Sequence, residues 1–266
     1  MLDQVRNALY PRWRGVLKRT GLIKRGAAPE LGGEPYFDFL RRAHLELKPG
    51  SYLEIGVRKG ESLKLATCPA IGIDPQHSLT DECKAARAGI PTHLFSEFSD
   101  DFFRTDRLLK LFPERLDLAF IDGDHRFEFA LRDFMNLERL AHPRTIIVIH
   151  DCCPTNKQMA SRNRRRFLRT DFATMGRWAG DGWKLLPILK KYRPDLAVLP
   201  VDCPPTGLLI IARLDPASTV LSLAYDDIMR EFTSKKLDLV RHRSAFPLVA
   251  SRTVSLPALV SNHGRS

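Results

Sequence analysis

Five residues near the middle of the chain have side chains that can do chemistry: Asp122, Asp124 and His125, then His150 and Asp151. Carboxylates bind hard divalent ions through oxygen, and an imidazole either binds a softer ion or takes a proton near neutral pH. Each group follows an apolar run. Leu116-Asp117-Leu118-Ala119-Phe120-Ile121 precedes the first, and Thr145-Ile146-Ile147-Val148-Ile149 precedes the second. The second run is β-branched and unbroken, as suits a strand buried on both faces. Between them Phe127, Ala130, Leu131, Phe134, Leu137 and Leu140 fall on one face of a helical repeat. Strand, helix, strand is a βαβ unit, and ligands in open α/β sheets bind at the carboxyl ends of the strands. The five residues are therefore expected to meet there.

Two more strand ends lie upstream. Tyr52-Leu53-Glu54-Ile55 runs into Gly56-Val57-Arg58-Lys59-Gly60, and a helix is expected from about Glu61. Glycines at such a turn let a ligand approach the backbone, and a helix N-terminus offers N–H donors. Arg58 stands where the dinucleotide pattern G-x-G-x-x-G needs its second glycine, so that fingerprint is absent. Ala70-Ile71-Gly72-Ile73 then ends in Asp74, which either accepts both hydroxyls of a ribose or caps the turn before Pro75. A third strand spans residues 92–97, and Ser99 opens the next helix as its cap.

The turn from Glu54 to Gly60 resembles motif I of the class I S-adenosylmethionine-dependent methyltransferases. With Ile73-Asp74, Phe120-Ile121-Asp122-Gly123-Asp124-His125 and Ile149-His150-Asp151 in that order, residues 48–152 resemble the small-molecule O-methyltransferases of the catechol, macrolide-sugar and cephalosporin-cluster type. The resemblance implies a Rossmann-like, doubly wound, mostly parallel seven-stranded sheet with an antiparallel last strand. It implies S-adenosyl-L-methionine as cofactor, held by Glu54, Gly56, Gly60, Asp74, Ser99 and Asp122. It also implies a divalent metal (Mg or Mn) on Asp122, His150 and Asp151, beside a small-molecule or glycan-type hydroxyl acceptor. An imidazole at 150, where those relatives carry a carboxylate, admits Fe or Zn as well, or no metal. Either His125 or His150 then serves as general base, the other as a packed neighbour.

Composition sets the remaining limits. With 266 residues, 44% hydrophobic and 27% charged, the chain can bury one large α/β core. Five cysteines in no spaced framework and no apolar run of spanning length read as a reducing, cytoplasmic setting. The formal charge of +11 sits in residues 1–25, 157–169 and 235–266, while the remainder is net acidic. Three units are expected: a basic arm over 1–34, a methyltransferase domain over 35–234 with a basic acceptor-side insert at 153–180 and a C-terminal helix over 218–232, and a flexible tail over 235–266. The arm is either a solvated segment or a contact with an anionic surface such as the membrane periphery. Arg164, Arg165 and Arg166 either face solvent or meet an anionic acceptor. Nucleic acid is disfavoured as acceptor, since no Asn-Pro-Pro-Tyr-type motif follows the fourth strand. A non-catalytic binding protein on the same fold is the other alternative.

Overall fold

In a computed structural model, residues 31–112, 116–163 and 177–261 are described. The basic arm before residue 31 and the Arg164–166 run fall outside them. A seven-stranded sheet organises the chain, in the order β3-β2-β1-β4-β5-β7-β6. Its strands are β1 (Tyr52–Ile55), β2 (Ala70–Ile73), β3 (Thr92–Phe95), β4 (Leu116–Ile121), β5 (Ala141–His150), β6 (Ala197–Val201) and β7 (Leu208–Ala212). The first five are parallel, and β7 runs antiparallel to both β5 and β6, as expected.

Register explains why the functional residues meet. Ile55 pairs with both Ile73 and Ile121, and Ile121 pairs with Ile149. The residues that follow these four isoleucines (Gly56, Asp74, Asp122 and His150) therefore leave the sheet side by side. Period-two alternation sends Ile147 and Ile149 to one face and Ile146 and Val148 to the other. The first pair packs with Phe127, Leu131 and Phe134 of a helix over Phe127–Glu138. The second packs with Phe39, Leu40 and Ala43 of a helix over Tyr36–Leu47, here α1. With both faces covered, an apolar run is what β5 requires.

Four local expectations give way. The helix expected from Glu61 is a single 3₁₀ turn, Leu63–Leu65, because the chain turns extended at Ala66 to enter β2. β5 begins at Ala141 rather than Thr145, its irregular start pinned by Thr145, whose hydroxyl donates to the Leu116 carbonyl and accepts from the His142 N–H. The C-terminal helix expected over 218–232 is two, Val220–Leu223 and Tyr225–Phe232, divided at Ala224. Residues 235–261 are built into the body instead of trailing from it. They carry helices Leu239–Ala245 and Leu256–Ser261 and bury Leu237, Val254 and Leu256. Arg42 of α1 also donates to the carbonyls of Ser251 and Val254. Scattered apolar residues among Ser, Arg and Pro were enough to dock this segment. Among the described residues no helix is long and apolar enough to cross a membrane.

Candidate active site

At the ends of β4 and β5, two carboxylates and two imidazoles alternate. His125 Nδ1 lies 2.9 Å from Asp151 Oδ2. His150 Nδ1 lies 3.2 Å from Asp122 Oδ1 and 3.5 Å from Asp151 Oδ2. Asp151 thus serves both rings, and its backbone takes a left-handed φ of 59° to do so. A non-glycine residue held there is strained, and such strain concentrates at functional sites.

Electrostatics follow from this arrangement. Burial opposes charge on His125, but Asp151, directly and through its hydrogen bond, and then Asp122 outweigh it and raise the pKa to about 9. Burial also opposes charge on His150, and Asp151 and Asp122 raise it to about 10. Burial works against the Asp151 carboxylate too, yet the His150 and His125 imidazoles hold it well below the usual carboxylate range. At neutral pH both imidazoles are therefore cationic and share the Asp151 carboxylate.

The two histidines are not equivalent. His150 has a side chain only 7% exposed; its Nε2 lies 3.4 Å from the Thr206 hydroxyl, and Tyr36 of α1 packs on it with ring centroids 4.2 Å apart. Both His150 nitrogens are thus engaged and a ring packs on it. His125 is 25% exposed at its side chain. One donor atom each from Asp122, His125 and Asp151 lie within 4.8 Å of one another, close enough to share a cation. His125 takes the place expected for His150 in that trio. Asp124 stays apart, bonded to Arg126 at 2.7 Å. The cavity at the cluster is about 10 Å³, lined by Ile121, Asp122, His125, Ile149, His150 and Asp151, and matches a single water in size.

The other strand ends are organised differently. Glu54 is fully buried, with Oε1 accepting from Ser62 Oγ at 2.6 Å and Oε2 from Tyr52 OH at 2.8 Å. Burial pushes its pKa up to about 8, against those two hydrogen bonds. Both Glu54 carboxyl oxygens are thus engaged within the protein. Asp74 accepts from the Arg58 N–H at 2.8 Å and from the Gln76 N–H at 2.7 Å, so it does act as a cap, tying the glycine turn to the loop after β2. Gly56 has φ +95°, and a Cβ there would sit 2.1 Å from the Asp122 carbonyl oxygen. Gly60 has φ +78°, with Cys83 Sγ 2.4 Å from where its Cβ would be. Both glycines are demanded by the chain's own packing. Ser99 bonds the buried Asp133, whose pKa rises to about 7 through burial against that bond.

Reading the sequence missed Tyr36, Thr206, Trp178 and Asp181. Asp181 Oδ1 accepts from the Phe127 N–H, capping the helix behind His125, and its Oδ2 takes Lys184 at 2.8 Å and Arg162 at 3.0 Å. Gly180-Asp181-Gly182 was a legible signal of a turn where backbones approach closely. Nothing in spacing marked Tyr36 or Trp178.

Residues 53–152 match the family model described as methyltransferase domain. No curated protein matches the chain. Among solved structures, the chain is similar to S-adenosylhomocysteine-bound methyltransferase PaMTH1 of Podospora anserina, at 15% identity over 68% of this chain and 78% of that one, TM-score 0.46. It is similar to an O-methyltransferase from Bacillus cereus in complex with S-adenosylhomocysteine, at 13% identity over 78% and 91%, TM-score 0.45. It is also similar to the O-methyltransferase TomG from Streptomyces achromogenes, involved in tomaymycin synthesis and bound to S-adenosylmethionine, at 15% identity over 70% and 83%, TM-score 0.47. Residues 53–152 thus carry the match to a methyltransferase domain, on a seven-stranded sheet of order β3-β2-β1-β4-β5-β7-β6.

Proposed function

We propose that the protein methylates a hydroxyl oxygen of a small-molecule or glycan-type acceptor, with the acceptor seated at the ends of β4 and β5. The observation that carries this reading is the convergence of Asp122, His125 and Asp151 beside the methyltransferase motif turn. S-adenosylmethionine, when bound, would supply an electrophilic methyl group to the acceptor oxygen and leave as S-adenosylhomocysteine. The hydroxyl proton passes to the neutral form of His125, whose share grows as pH rises toward about 9. Asp151 stabilises the imidazolium so formed, and His150 keeps Asp122 and Asp151 in place. Positioning of this kind is the larger part of what a protein contributes to such a displacement. On the other side, the backbone of the Gly56–Gly60 turn, with Asp74 bracing it, is assigned to the cofactor.

Two carboxylates and an imidazole in mutual reach also fit a divalent ion of Mg or Mn type, held by Asp122, Asp151 and His125. A bound cation would favour the alkoxide form of the acceptor. The carboxylates are already balanced by imidazoles, so the ion would have to displace the His125 proton.

Two measurements test the reading. S-adenosylhomocysteine should bind the purified protein with micromolar-order affinity, about −8 kcal/mol. Labelled methyl from S-adenosylmethionine should enter small-molecule fractions of cell extract in alkali-stable linkage, as expected for ethers. Incorporation only into nucleic acid would overturn the acceptor class. Activity undiminished in excess EDTA, with no metal in the purified protein, would remove the ion and leave the transferase.

A further inference from the structure

Residues 177–184, beyond the matched segment, return across the strand ends and close on one residue, His125. The Trp178 indole stacks on its imidazole, with ring centroids 4.6 Å apart and planes 8° from parallel. The Trp178 carbonyl lies 2.9 Å from His125 Nδ1, the nitrogen that also faces Asp151. Two acceptors at that distance require a hydrogen on Nδ1. The indole N–H donates to the Ser161 carbonyl, which fixes the rotation of the stacking ring. Two residues on, Gly180 takes φ +59°, and a Cβ there would fall 2.2 Å from the His125 carbonyl oxygen. The Asp181 N–H then donates to that same oxygen at 3.0 Å.

We propose that Trp178 is a positioning residue for His125. Its ring fixes the imidazole plane and its carbonyl holds Nδ1–H, which sets where Nε2 points. The proposal rests on the reading that the acceptor sits at the ends of β4 and β5 beside His125. It follows from the number of independent contacts on one side chain. An aromatic ring that merely filled space would need neither the indole anchor nor the glycine pressed against the His125 backbone. A parallel stack on an imidazole also favours one plane, where an aliphatic side chain of similar volume would leave the ring free to turn. Small displacements of a reacting group lower rates steeply, so the effect belongs in turnover and not in cofactor affinity.

The test uses the full chain with Trp178→Leu and Trp178→Phe. Turnover is read with labelled S-adenosylmethionine and the extract fraction that the parent labels most strongly, and S-adenosylhomocysteine affinity by calorimetry. Trp178→Leu should lower kcat by tenfold or more while leaving that affinity within twofold. Trp178→Phe, which keeps a flat ring, should return to within threefold of the parent. Parental kcat in the Leu variant, or a Phe variant as impaired as Leu, overturns the proposal. So does a parallel loss of S-adenosylhomocysteine binding. A fluorescence measurement covers variants that fail to fold. The share of emission lost in Trp178→Phe is that of Trp178, and His125→Gln should raise it by removing the stacked imidazole. Unchanged emission means no stack and overturns the proposal. A parent that labels no fraction defeats the functional reading, and the emission result still decides on the stack.

Discussion

The ends of β4 and β5 and the ends of β1 and β2 lie next to each other in one sheet, yet they handle polar groups in opposite ways. At β4 and β5, Asp122, Asp151, His125 and His150 face one another, and their charges balance only as a set. At β1 and β2, Glu54 and Asp74 are consumed locally, one by two hydroxyls and the other by two backbone N–H groups. The first arrangement leaves side chains able to exchange a proton or hold a cation. The second leaves a rigid backbone turn. A site that must present reactive side chains to an acceptor and a fixed cradle to a cofactor needs both.

Breaking the charged side should have the largest effect. Asp151→Ala takes away the acceptor shared by two buried imidazoles. Removing one partner of a buried ion set costs about 3–5 kcal/mol, so the thermal midpoint should drop steeply. Misplacing the base should lower kcat by about 10² or more. A variant with parental stability and turnover would mean that the alternating cluster is incidental.

Asp74→Ala tests the other side. The side chain braces the glycine turn through Arg58, so S-adenosylhomocysteine affinity should fall by about 1–3 kcal/mol with kcat less affected. Asp74→Asn keeps one acceptor oxygen and should lose less. An equal loss in kcat at saturating cofactor would dissolve the division of labour between the two regions.

These outcomes bear on what the sequence disclosed. The strands, their order of chemistry-bearing ends and the β5 core were legible because apolar runs with period two admit few other readings. Asp122, His125 and Asp151 were legible because parallel strands in register must end together. The respective roles of His125 and His150 were not legible. They depend on Tyr36, Thr206 and Trp178, which arrive from distant parts of the chain and follow no pattern of spacing. Glu54 was legible as an acid at a strand end, but its burial depends on Tyr52 and Ser62 donating to it, which no motif expresses. The docked segment 235–261 escaped for a similar reason: its anchor is Arg42, some two hundred residues away.

A pH series sharpens the contrast at intermediate magnitude. His125 and His150 have folded pKa values of about 9 and about 10, above the ordinary imidazole value of 6.5. Their stabilisation is therefore complete below about pH 6.5 and is lost as pH rises through 9 and 10. Asp151 works the other way, its contribution present above the usual carboxylate value and lost in acid. Melting should show a plateau below about pH 6.5 and a fall from there toward pH 10 of at least about 1 kcal/mol, roughly 2–4 °C for a chain of this size. Replacing both histidines with Gln should abolish the alkaline fall attributable to the cluster. If it persists undiminished, the imidazoles are neutral in the fold and the charge balance is wrong.

The smallest expected effect is the most discriminating for the cofactor side. Glu54 has its pKa raised to about 8 by burial, so at pH 7 it is mostly neutral and Gln is a close substitute in shape and hydrogen bonding. The sign is set by that raised value: the favourable contribution of the protonated carboxyl is complete below its ordinary pKa of 4.5 and disappears as pH rises through 8. Glu54→Gln cannot ionise, so it should melt within about 2 °C of the parent at pH 6, under 1 kcal/mol. At pH 9 it should be the more stable of the two by on the order of 1 kcal/mol. S-adenosylhomocysteine affinity should stay within about threefold, well under 1 kcal/mol, because both carboxyl oxygens face Tyr52 and Ser62. Calorimetry decides between this and direct contact. A tenfold or greater loss of affinity at pH 7 would mean that Glu54 reaches the cofactor in the bound state, and the β1 turn would then join the β4–β5 cluster as a surface of reactive side chains.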